Sequence, residues 1–156
     1  MATTSYLTLA EFKDATVLPE GYADAVEASE ADWTLAKLTF LSGYINARLA
    51  KRYAVPFVAP IPPVILDWLE RLASWAVLLK RGCDPTDQQT AEIKERATLA
   101  LAEIREAADS KEGLFELPLR DDTSADGISK GFVQGYSEAS PYTWTQIQLE
   151  AAEAES

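Results

Sequence analysis

The sequence predicts an all-α protein: a small bundle of about four helices, with a short extended segment and a long C-terminal arm. Three observations lead there. Apolar residues recur at steps of three and four in several windows, which is the helical period. Prolines and glycines gather between those windows, where they close one element and open the next. Alternating apolar runs of the kind that build strands are few, the clearest being Leu114 to Leu119.

Thr8-Leu9-Ala10-Glu11, the first element signal in the chain, has the form of a capping box, a threonine cap with a glutamate three residues on. It predicts a first helix from about Leu9 to Thr16, with Phe12 in the core. Val17 to Ala28, with Pro19, Gly21 and several acids, reads as a loop. Ser29 then precedes Glu30, Ala31 and Asp32, a cap followed by acids that suit the positive end of a helix dipole. Leu35, Leu38, Ser42, Ile45 and Leu49 mark one face of this second helix. Phe40, Tyr44 and Ala47 lie off that face and predict contacts on more than one side. The helix is expected to run to about Arg52, roughly 35 Å at 1.5 Å per residue.

Pro56 disfavours helical backbone at Val55. Pro60, Pro62 and Pro63 keep the connecting residues extended, and a proline in the first turn can open the next helix. That third helix continues through Ile65, Trp68, Leu69, Leu72, Trp75, Ala76 and Leu79 to Arg81, and Gly82 supplies its left-handed end. Trp68 and Trp75, seven residues apart, share a face with Leu72; core packing accounts for them, and a subunit boundary is the alternative for one of the two. Asp84-Pro85 restarts the pattern, giving a fourth helix to about Ala108 with Ile93, Ala97, Ala100, Leu101 and Ile104 facing inward. Its alanines suggest close approach to a neighbour, and its Glu, Lys and Arg positions a solvated face. Lys111-Glu112-Gly113 ends it. Leu114 to Leu119 reads as a strand or as an extended arm on the bundle.

With 156 residues the chain fits one domain and a tail, divided here into a helical domain, 1–120, and an acidic, aromatic extension, 121–156. Only five of the extension's 36 residues are Leu, Ile, Val or Phe, below the roughly 20% of a folding segment. It nonetheless carries Ile128, Phe132, Val133, Tyr136, Tyr142, Trp144 and Ile147. Ser140-Pro141 looks like a helix start, while alternation from Tyr142 to Ile147 suits a strand equally. Those seven residues are the candidate partner-binding set of a tail that is loose in the monomer and orders on a partner; an inert acidic end is the plainer reading.

Composition excludes several classes of chemistry. There is no histidine, so the usual general base and the commonest metal ligand are missing. Cys83 is alone, which leaves no disulfide framework and no thiolate cluster within one chain. No phosphate loop, dinucleotide fingerprint, nucleophile elbow or calcium loop is present. Glu11 with Asp14, and Asp121-Asp122 with Asp126, read as solvated carboxylates. No catalytic residue, cofactor or metal is therefore expected, and the chain does not read as an enzyme. Apolar stretches are broken by charge well short of the roughly 20 residues of a membrane span, and the N-terminus lacks the pattern of a secretory signal; a soluble, intracellular product without a membrane is the expectation.

Net charge is −11, unevenly placed. Residues 1–50 hold 3 bases and 7 acids, residues 51–120 hold 10 and 11, and residues 121–156 hold 1 and 7. Acidity thus sits at the ends, and such a chain is not expected to bind DNA tightly. Arg48, Lys51, Arg52 and Tyr53 form a basic, aromatic helix end. Cations there complement the dipole; beyond that, Arg52 is suited to hold a carboxylate by two parallel bonds, and Tyr53 to pack under the crossover.

Tyr6-Leu7-Thr8, the helix ending Ile45-Asn46-Ala47-Arg48-Leu49-Ala50-Lys51-Arg52-Tyr53, the adjoining Val55-Pro56 and the Pro62-Pro63 helix start resemble the head–tail adaptor (connector or neck) proteins of tailed phages. Arg-Tyr-x-x-Pro, Arg52 to Pro56, is the most specific part, and the resemblance covers about residues 5–119. It implies a structural virion protein at the head–tail junction, assembled in the host cytoplasm as a dodecameric homo-oligomer ring on the portal protein. Such a ring presents a surface to the next neck or tail-completion protein and lets genomic DNA pass without specific binding. In that setting Arg48, Arg52, Tyr53 and Pro56 are candidate subunit-interface or crossover residues. The tail from Asp121 goes beyond the smaller members of the family; its seven apolar and aromatic residues are the candidate portal-binding set. A second function from another class is a small acidic helical regulator or DNA mimic that inhibits a nucleic-acid-binding partner.

Overall fold

A computed structural model of the protein describes residues 4–84, 86–110 and 113–120. Within them the chain is all-α, with five helices: α1 Leu9–Ala15, α2 Tyr22–Ser29, α3 Trp33–Leu49, α4 Pro63–Arg81 and α5 Gln88–Asp109. α4 lies at the centre and packs on α2, α3 and α5.

α1 opens on the expected box: the Glu11 amide donates to Thr8 Oγ1 at 3.2 Å and the Thr8 amide to Glu11 Oε2 at 2.8 Å. Phe12 is fully buried. The expected loop after it contains α2, so the helices number five instead of four. Gly21, in the left-handed region at φ 84°, turns the chain into it. Only Ala23 and Val26 of α2 are buried, too few apolar positions to announce a helix by period. Tertiary contacts supply the rest: the Arg81 guanidinium lies 3.6 Å from the centre of the Tyr22 ring, and Lys13 and Lys80 pair with Asp24 and Glu30.

Because α2 ends on Ser29, that residue does not cap the next helix, which begins at Trp33. Asp32, at φ 61°, occupies the cap position with no side-chain cap bond of its own. Glu27 reaches forward instead and accepts from the amides of Asp32 and Thr34, both at 2.8 Å. Burial works to raise the Glu27 carboxyl, but hydrogen bonds from Thr34 and Asp32, with the charge of Lys13, bring it below its ordinary value of 4.5. The core face of α3 is Leu38, Leu41, Ser42, Ile45 and Leu49. Leu35, expected on that face, is 41% exposed, and Thr34 is the buried residue of the first turn.

The crossover from α3 to α4 contains two cis bonds, Val55–Pro56 and Ala59–Pro60. α4 starts with proline in its first turn and ends at Gly82, φ 97°, as expected. It buries Ile65, Trp68, Leu69, Leu72, Ala73, Val77 and Leu78, together with Glu70 and Ser74. Trp75 is half-buried and Leu79 is 51% exposed. Asp84 makes a turn of its own, accepting from the Thr86 amide and hydroxyl, and Asp87, not Asp84, caps α5 through the Thr90 amide at 3.1 Å. Ala73 of α4 and Ala97 and Ala100 of α5 are all buried; side chains this short let the two axes approach closely.

The segment after α5, expected as a strand or an extended arm, instead turns at Phe115-Glu116, where the Leu117 amide donates to Leu114 O at 3.3 Å, and only its end forms a bridge. It pairs with the crossover: the Ala54 amide donates to Pro118 O at 2.8 Å and the Arg120 amide to Arg52 O at 3.1 Å, forming an antiparallel bridge between Tyr53 and Leu119. Leu117 turns into the core.

Candidate functional site

The Arg52–Tyr53 corner is built at the C-terminus of α5. A helix end leaves carbonyls without intrahelical partners, and it attracts cations. α5 has no basic residue in its last turn. Its partners come from the start of the crossover, just past α3: Arg52 Nη1 donates to Ser110 O, and the Tyr53 hydroxyl donates to Ala107 O at 3.0 Å. The same hydroxyl accepts from the Leu114 amide at 2.8 Å, so it joins α5 to the arm. Arg52 and Tyr53 are both buried, 1% and 0% exposed. Among the described residues Arg52 thus serves a backbone carbonyl, that of Ser110. Lys51 adds an exposed pair with Asp109 at 2.9 Å.

Gly113 closes the corner. It sits at φ 68°, and a Cβ there would stand 2.6 Å from Arg52 Cζ and 2.8 Å from the Tyr53 oxygen. A hydrogen at this position is the condition for the arm to lie over the two side chains.

The N-terminal residues brace the other side of the crossover. The Tyr6 hydroxyl donates to Asn46 Oδ1 at 2.6 Å and accepts from the Phe57 amide at 2.9 Å. Its ring leans on Phe57 with centroids 6.0 Å apart. The structure therefore brings Tyr6, Asn46, Arg52, Tyr53 and the cis Val55–Pro56 turn together as one joint. Pro56 itself is exposed, and Arg48 points away, lying 5.3 Å from the centre of the Tyr44 ring. The seven candidate residues of the tail, Ile128 to Ile147, lie outside the described residues.

Two features escaped the sequence reading. Glu70 is buried in the core, accepting from Ser74 Oγ at 2.7 Å and the Val17 amide at 3.3 Å, with Arg96 at 3.3 Å from its other oxygen. Three donors satisfy a charge that burial would otherwise expel; the signal available was its place on the apolar face of α4 beside Leu69 and Ala73. The second is a groove of about 620 Å³ between α3 and α4. Its walls include Trp33, Phe40, Tyr44, Trp75 and Leu79. Phe40, 63% exposed, stands open to it. The off-stripe aromatics of α3 were its signal.

Among the described residues no group of three or more His, Cys, Asp or Glu side chains is arranged to hold a metal. None of their helices is long and apolar enough to cross a membrane. Compared with protein-family models, curated proteins and solved structures, the chain matches none. The fold class is that of a small helical bundle with a clasped arm.

Proposed function

We propose that this chain is a non-catalytic structural protein, a head–tail adaptor that forms a ring on the portal vertex of a tailed phage and joins the DNA-filled head to the tail. The observation that carries the reading is the clasped corner. Arg52 to Pro56, the most specific part of the resemblance, are the residues that tie α3, α5 and the arm into one joint. A ring subunit needs that economy: a stiff wedge, and an extension leaving it from a fixed point. It also needs side faces that pair head-to-tail until the ring closes. Val58 on the crossover and Phe115 on the arm, 82% and 94% exposed, stand in solvent as such contacts would require.

The deciding experiment is the mass and image of the protein purified with the portal protein of the same genome. Rings of many copies seated on the portal are the expected result. A monomer or dimer that ignores the portal and blocks a nucleic-acid enzyme would replace this reading with that of an acidic regulator. Removing residues 128–156 is expected to leave the helical signal intact and to weaken portal docking. Undiminished docking would count against the tail as the portal contact.

A further inference from the structure

The groove between α3 and α4 is chemically unlike the rest of the molecule. In a chain of net charge −11, the facing stretches 33–49 and 72–81 carry Lys37, Arg48, Lys80 and Arg81 and no carboxylate. All four lie against aromatic rings: Lys37 at 4.9 Å from Phe40 and Lys80 at 5.5 Å from Trp33 on the groove walls, Arg48 at 5.3 Å from Tyr44 beside them, and Arg81 at 3.6 Å from Tyr22 on α2. Lys80 is also paired with Glu30 at 2.6 Å. The groove thus offers apolar aromatic walls under a cationic border, and its fitting occupant is an acidic segment rich in aromatics.

One segment of the same chain has that composition. Residues 121–156 hold seven acids against one lysine, with Phe132, Tyr136, Tyr142 and Trp144 among them. We infer that this C-terminal segment docks in the α3–α4 groove of its own domain. Reach supports the same-chain assignment. The arm ends at Arg120, whose guanidinium donates to Ala50 O at 2.9 Å, at the foot of the helix that forms one wall. From Ala50 to Tyr44 is about 9 Å along the helix, and on to Trp33 about 17 Å more. A flexible tether of the length from Arg120 to Phe132 spans roughly 19 Å on average, and to Trp144 roughly 27 Å. Tethering at this range gives an effective concentration on the order of millimolar, so a modest intrinsic affinity suffices. The segment expected to order on a partner would thereby find its first partner in its own domain. This inference uses only the groove and the tail sequence, and stands or falls apart from the adaptor reading.

Hydrogen exchange on the full-length protein, read by mass spectrometry at a concentration where sedimentation shows monomer, tests it. Amides of 128–149 are expected to be protected in the wild type. In Phe40→Asp and Leu79→Asp, which change exposed side chains, they should exchange on the order of tenfold faster while the amides of α3, α4 and α5 keep their protection. Should either variant lose helix protection, Lys37→Glu with Arg48→Glu carries the test through charge alone, and added salt should mimic it. Unprotected amides at 128–149 in the wild type, or protection indifferent to every groove substitution, would overturn the inference. Protection that appears only as copies associate would overturn the same-chain assignment and give the groove to a second copy's tail.

Discussion

Replacing Tyr53 by phenylalanine removes one oxygen and strands two backbone groups, the Ala107 carbonyl and the Leu114 amide. Because the site is buried, water does not replace the lost partner, and Tyr53→Phe is expected to cost about 1–3 kcal/mol, read as a lower midpoint in urea at unchanged slope. An unchanged midpoint would mean that the hydroxyl does not hold the arm. Gly113 admits a sharper comparison with Gly82. Both have positive φ, 68° and 97°, but a Cβ at Gly82 meets open space while one at Gly113 meets Arg52 and Tyr53. Alanine at either position incurs backbone strain of about 1 kcal/mol or more; Gly113→Ala should be clearly the more damaging of the two. Equal losses would show that the corner yields to the extra methyl.

At the scale of elements, α3 owes its start to a side chain of α2. The Glu27 carboxyl is held below 4.5 in the folded protein. A depressed carboxyl contributes stability that is complete above its unfolded value and is lost as pH falls through the folded one. Glu11 and Asp84, lowered by hydrogen bonds from Thr8 and Thr86, act in the same direction. The melting temperature should therefore fall as pH drops below about 4.5, and Glu27→Gln should show a shallower acid limb than wild type. Identical limbs would remove Glu27 from the cap. This corner also explains what was legible in the sequence. Thr8-x-x-Glu11, Pro63 and Gly82 act within their own turns, so the start of α1 and both ends of α4 could be read from adjacent residues. α2 and the start of α3 are decided by contacts with Arg81 and Glu27, which no local pattern contains. The same division runs through the site: Arg52 and Tyr53 stood out as a basic, aromatic helix end, but their service to α5, some 55 residues on, is a property of the packed chain.

For the whole molecule, apolar side chains left in solvent matter more than net charge. Phe115 is 94% exposed on an arm whose neighbour Leu117 is 3% exposed, so one side of the arm is fixed to the core and the other is presented outward. On the adaptor proposal, Phe115→Asp is expected to leave urea stability within about 0.5 kcal/mol while reducing the number of copies retained on purified portals. Full retention would move the contact elsewhere. The antiparallel clasp has a mechanical consequence. The arm comes after α5 in sequence, yet its last described residue holds Ala50 and Arg52 at the end of α3. A pull on the C-terminus would load α3 first and reach α5 only after those bonds had sheared, so tension along the extension is delivered into the middle of the molecule without fraying the helix from which it emerges.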